Sequence, residues 1–131
     1  MASDRFHELI DHLIQATKAG KVIWQPTVKE GAFHVPLGEG LVRIESGLND
    51  EEATWYAVYL VSRKGQTIDE IIANASNYNR RDEYVLLDDL YKSARLSAFN
   101  ADAVIDSMLK EIEEGKTRER PPDNKKSDVS F

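Results

Sequence analysis

Residues 53–62 read ATWYAVYLVS, the most apolar run in the chain, and the way they are read decides the fold. Aromatic and β-branched residues dominate the run, and its length suits one strand. Alternation places Trp55, Ala57, Tyr59 and Val61 on one face, with Tyr56, Val58 and Leu60 on the other. Both faces are apolar, so the run is expected to be a central strand covered on both sides. One side would take a helix and the other a second layer or a partner.

Upstream, residues 47–52 form an acidic loop, and residues 32–46 read as a hairpin. Phe33, Val35 and Leu37 alternate with Ala32, His34 and Pro36; Gly38-Glu39-Gly40 turns the chain, and Val42 and Ile44 return opposite Arg43 and Glu45. Pro36 lacks a backbone donor, which marks its strand as an edge or a bulge at that point. Residues 21–25 read as a further strand, closed by Pro26. Before it, Phe6, Leu9, Ile10, Leu13, Ile14 and Thr17 recur on one helical face, between an N-cap at Ser3 and a stop at Gly20.

Downstream, Thr67 and Glu70 have the spacing of a capping box, which predicts a short helix to about Ser76. Residues 77–81 (NYNRR) form a loop, and Asp82 caps a helix with the stripe Leu86, Leu87, Leu90, Tyr91 and Ala94. Asn100 is a second potential cap, before the stripe Val104, Ile105, Met108, Leu109 and Ile112, so two helices bent at Phe99-Asn100 are expected. The fold class is α+β: an N-terminal helix, an antiparallel sheet of about four strands, a short helix and two C-terminal helices. Residues 1–115 are expected to form a single domain, and residues 116–131 a disordered charged tail.

With 131 residues the chain can bury a core without staples, and it contains no cysteine. That excludes disulfides, thiolate metal sites and a cysteine nucleophile. Residues 116–131 carry 5 of the 17 bases and 3 of the 23 acids. Residues 1–115 therefore hold 12 bases and 20 acids, a net charge of -8. So acidic a body repels a phosphate backbone, which disfavours nucleic acid as a partner. The first residues are polar, and no stretch approaches a membrane span, so a soluble, cytoplasmic protein is expected, without membrane attachment.

The run His7-Glu8-Leu9-Ile10-Asp11-His12 contains two acid–base pairs at i, i+4. Its histidines stand roughly 140° apart around a helix, so they do not share a metal as the zincin spacing does. The expectation is two solvated surface pairs and no metal. His34 has no acid or hydroxyl partner by spacing, and Gly38-Glu39-Gly40 is too short to cradle a phosphate. No catalytic residue and no cofactor is expected. Between Asp82 and Glu114 there are nine acids against three bases, either a solvated face or a docking face for a basic partner. Trp24, Trp55, Tyr56, Tyr59 and Tyr91 are expected to fill the core, or else Trp55 and Tyr59, or Tyr56, line an exposed sheet face used for a protein, peptide or small ligand. Arg95, four residues after Tyr91, is the candidate for stacking or for holding an anion.

Three segments carry a resemblance. They are Thr17-Lys18-Ala19-Gly20-Lys21-Val22-Ile23-Trp24, the stretch from Tyr59 to Ile71, and Leu90-Tyr91-Lys92-Ser93-Ala94-Arg95 with the helix that follows. Together the chain resembles small bacterial proteins of unassigned activity built on a T-x-x-G-K-(I/V)-x-W … L-Y-x-x-A-R plan, over most of residues 5–112. The resemblance implies a bacterial source and no particular chemistry. In size, acidity and α-β-α order the chain also resembles secretion chaperones, which hold an unfolded segment in an open groove.

The function expected is that of a small non-catalytic binding or adaptor protein working through protein–protein contacts, with homodimerisation to cover residues 53–62. Trp24, His34, Trp55, Tyr59, Tyr91 and Arg95 are the candidate binding residues. The rival is a small-molecule sensor or small enzyme with a pocket around Trp24, His34, Tyr59 and Arg95.

Overall fold

The computed structural model describes residues 3–75 and 81–115. Helix α1 (Asp4–Lys18) is followed by strands β1 (Gln25–Pro26), β2 (Ala32–Leu37), β3 (Gly40–Leu48), β4 (Thr54–Ser62) and β5 (Thr67–Asn74), then by helices α2 (Arg81–Ala98) and α3 (Ala101–Glu113). The strands form one antiparallel sheet in sequence order. The chain divides into two compact units, one ending at Ala101 and one beginning at Asp102.

Helix α1 is bounded as its sequence requires. The Ser3 hydroxyl accepts from the Phe6 N–H at 3.2 Å. At the other end Gly20 takes φ +76°, and the N–H groups of Gly20 and Lys21 donate to the carbonyls of Thr17 and Ala16. Those two bonds satisfy the last carbonyls of the helix in a Schellman closure that needs a left-handed residue at Gly20.

In the first unit, α1 and α2 share a core with one face of the sheet. Phe33, Ile44, Val58 and Ile71 are successive cross-strand partners on that face, all buried. Phe6, Ile10, Leu13 and Ile14 from α1 and Leu87, Leu90 and Ala94 from α2 pack against them. Each large side chain buried there contributes on the order of 1.5–3 kcal/mol. Phe33, Tyr56, Tyr84, Tyr91 and Phe99 continue the layer through tilted and edge-on ring contacts at 5.4–5.6 Å.

The helix expected from Thr67 is instead strand β5, which makes five strands in place of about four. Ile68, Ile71 and Ile72 fit a helical stripe as well as a strand, so the local pattern is ambiguous. Pairing with β4 decides it, because the strand register buries Ile71 and Ala73 against the helices. The strand expected at residues 21–25 shrinks to Gln25 and Pro26. The Trp24 N–H is taken by the Ser97 hydroxyl at 2.9 Å and its indole N–H by Thr17 Oγ1 at 2.9 Å, so this stretch is tied to helices before it can join the ladder.

The expected hairpin β2–β3 forms, but its turn is Gly38-Glu39 alone, because Gly40 pairs with Leu37 and opens β3. Because β1 reaches only Phe33 and His34, the part of β2 that carries Pro36 is a true edge. The break between the last two helices falls at Asn100, as expected: it takes φ +54° just after α2 ends, a conformation that asparagine tolerates. Helix α2 already begins at Arg81, so Asp82 lies in its first turn, not ahead of it. The loop expected at residues 77–81 falls, up to residue 80, outside the described residues, as does the expected disordered tail at 116–131.

Candidate functional site

The face of the sheet turned away from α1 and α2 is the candidate site. Alternation and register place His34, Arg43, Tyr59 and Glu70 side by side across four strands. Ala32, Glu45, Ala57 and Ile72 form the adjoining row, and Gly47, Trp55 and Asn74 the next. Within the first unit no helix layer covers this face. Trp55, Tyr59 and Val61 are half-buried, and Ile72 is half-exposed. Ala57 is buried because its short side chain sits among the taller Trp55, Tyr59, Glu45 and Ile72. Within the first unit, α1 and α2 supply the cover expected on one side of β4.

A depression of about 480 Å³ lies on this face, lined by His34, Leu41, Arg43, Glu45, Tyr59 and Val61 with Gly65 and Thr67 at its end. Glu45 is its electrostatic centre. Its side chain is only 9% exposed, with Oε1 2.7 Å from Lys29 Nζ and Oε2 3.0 Å from Arg43 Nε. A carboxylate so buried is tolerable only when paired, and two cations pair it. Arg43 Nε is itself buried and, although close to Glu45, makes no aligned hydrogen bond. Burial, with Glu45 and Glu70 nearby, pushes the Tyr59 phenol above its ordinary range, so it stays a neutral hydrogen-bond donor.

The six candidate residues separate onto two sides of the sheet. His34, Trp55 and Tyr59 share the open face. Trp24 is 1% exposed in the core, Tyr91 is half-buried against Phe33 and Tyr56, and Arg95 is exposed on α2. Of the four residues proposed for a small-molecule pocket, His34 and Tyr59 line the depression, while Trp24 and Arg95 are absent from it. Arg43, Glu45 and Lys29 were not nominated from sequence, although alternation along β3 places the first two on one face. Lys29 joins from the β1–β2 loop, which no strand pattern reaches.

His34 lines the depression, and among the described residues no hydrogen bond orients its ring. No group of three His, Asp or Glu side chains among the described residues is placed to hold a metal ion. In the HELIDH run, His7 does not engage its helical neighbour Asp11. Its Nε2 meets Glu83 Oε2 of α2 at 2.8 Å and its Nδ1 meets the Ser3 carbonyl at 3.0 Å. Two acceptors require a proton on each nitrogen, and both contacts raise the His7 pKa, Glu83 first. His7 is therefore a clamp between α1 and α2 that is strongest when its imidazole is protonated, supported at the far end by Lys18 and Asp89 at 3.0 Å.

In the second unit, α3 has no buried residue, and Val104, Ile105, Met108, Leu109 and Ile112 are 46–73% exposed. No described helix is long and apolar enough to cross a membrane. No protein-family model matches the chain, and no curated protein or solved structure is significantly similar to it.

Proposed function

We propose that this chain is a small, non-catalytic binding or adaptor protein that acts through protein–protein contacts and pairs with a second copy through the open face of its sheet. The observation that carries the reading is the half-covered state of Trp55, Tyr59 and Val61, an aromatic and apolar centre ringed by Lys29, Arg43, Glu45 and Glu70. An apolar core with a charged rim is the anatomy of an interface. Four long strands present a flat face of about 500 Å². Two such faces approach the ~1,000 Å² that a specific contact needs.

The charges favour a second copy as occupant. Arg43, Tyr59 and Glu70 lie in one cross-strand row with Tyr59 central. A two-fold axis running along β4 beside Tyr59 sets Arg43 of each copy opposite Glu70 of the other, which makes the face self-complementary. A bacterial, cytoplasmic setting accords with the sequence and with such a role.

The two tryptophans supply the test. Trp24 is 1% exposed whether or not the open face is covered, so a change of acrylamide quenching with concentration reports on Trp55. Quenching that falls as protein concentration rises supports pairing through this face; quenching independent of concentration up to the millimolar range counts against it. The small-molecule reading retains the depression beside Tyr59, and its ligand would compete with pairing.

A further inference from the structure

Helix α3 carries an apolar stripe whose flanks specify the charge of whatever covers it. Val104, Ile105, Met108, Leu109 and Ile112 span about 140° of the helix surface. Asp102 and Glu113 border the stripe beside Leu109, with Asp106 just behind them, and Glu111 borders it beside Val104. Lys110, the one base of the helix, lies on the opposite side, about 170° from the stripe's centre. The seam is therefore acidic along both edges.

We propose that α3 docks a basic amphipathic helix of another protein, one with an apolar stripe flanked by lysine or arginine. The inference rests on the adaptor reading and gives that adaptor a second surface with a partner of defined chemistry. A second copy of α3 is the wrong occupant: parallel or antiparallel, it lays acidic edges against acidic edges, a pairing that flanking charges select against. The chain's own residues 116–131 carry five bases but only Val129 and Phe131 as large apolar residues, too few to fill a five-residue stripe. A 13-residue helix with no buried side chain has little stability of its own, and packing of its stripe supplies what it lacks.

The test is fluorescence anisotropy of the full chain with two labelled 21-residue peptides that share a leucine stripe, one flanked by lysines and the other by glutamates. The proposal expects saturable binding of the lysine peptide, at least tenfold weaker binding of the glutamate peptide, and at least a tenfold loss with the Met108→Asp variant. No residue of α3 is buried, so that variant keeps the fold of the first unit, which its circular dichroism checks. A Tyr59→Glu variant keeps peptide binding even where it loses self-pairing, so the two surfaces succeed or fail separately.

Several results overturn the proposal. Unchanged affinity in Met108→Asp shows the lysine peptide held by the general acidity of the body. Equal binding of both peptides removes the charge selection, and absence of binding removes the site. A halved solution mass in Met108→Asp makes a second copy the occupant. A tenfold gain in affinity after removal of residues 116–131 makes that segment the occupant.

Discussion

The indole of Trp55 lies against the backbone of Gly47, its cross-strand partner, so that a β-carbon at position 47 would stand 2.7 Å from Trp55 Cζ2 and 2.9 Å from Cε2. The glycine lets a large ring lie across two strands of the open face. Gly47→Ala forces the ring off its seat, at a cost of about 1–3 kcal/mol. A lowered thermal midpoint together with a changed near-ultraviolet dichroism of Trp55 is expected. An unchanged melt and spectrum would show that the ring has room to move.

The Lys29–Glu45–Arg43 cluster predicts an order of effects. Glu45→Ala strands a buried Arg43 Nε and loses both ion pairs, at a cost on the order of 2 kcal/mol. Lys29→Ala removes a half-exposed partner and costs about 0.5 kcal/mol. Urea denaturation of the two variants measures the difference. Equal losses would mean that Glu45 is less enclosed than its 9% exposure indicates.

The His7–Glu83 clamp gives a pH dependence of definite sign. The pKa of His7 is raised above 6.5 in the folded chain, chiefly by Glu83 and then by the Ser3 carbonyl. Its contribution is fully present below pH 6.5 and is lost as pH rises through the folded value. The stability difference between the wild-type chain and His7→Gln should therefore be largest below pH 6.5 and fade as the pH rises beyond it. A difference that grows with pH contradicts the clamp.

Tyr56 donates to Asp88, whose other oxygen lies 3.1 Å from Lys92. Burial, followed by the bond to Asp88, drives the phenol well above its ordinary range, and burial also raises Tyr59 and Tyr91. In an absorbance titration of the folded chain, these three of the five tyrosines should ionise late. Tyr56→Phe should cost about 1.5–3 kcal/mol, as the loss of a hydrogen bond to a charged group does. A titration in which no tyrosine ionises late would contradict this packing.

The elements with their own punctuation were legible in the sequence. Ser3 and Gly20 bound α1, Gly38-Glu39 turns the hairpin, and Asn100 separates α2 from α3. Residues 67–74 were not, because Ile68, Ile71 and Ile72 satisfy both periodicities and only pairing with β4 chooses between them. Residues 21–24 lost strand character to the hydroxyls of Thr17, seven residues before Trp24, and of Ser97, 73 residues after it and beyond any local pattern. At the site, alternation correctly grouped Trp55 with Tyr59, but the side of the sheet on which Trp24 and Arg95 fall depended on tertiary packing. The role of Glu45 needed Lys29, 16 residues away across a loop.

The central claim is self-pairing through the open sheet face, and a light-scattering mass tests it most directly. The chain of 14.8 kDa should show twice that mass at tens of micromolar, and Tyr59→Glu, a half-exposed position outside the core, should return it to the single-chain value with an unchanged dichroism spectrum. A single-chain mass for the wild-type protein at every concentration, or a doubled mass that Tyr59→Glu leaves intact, would contradict the account.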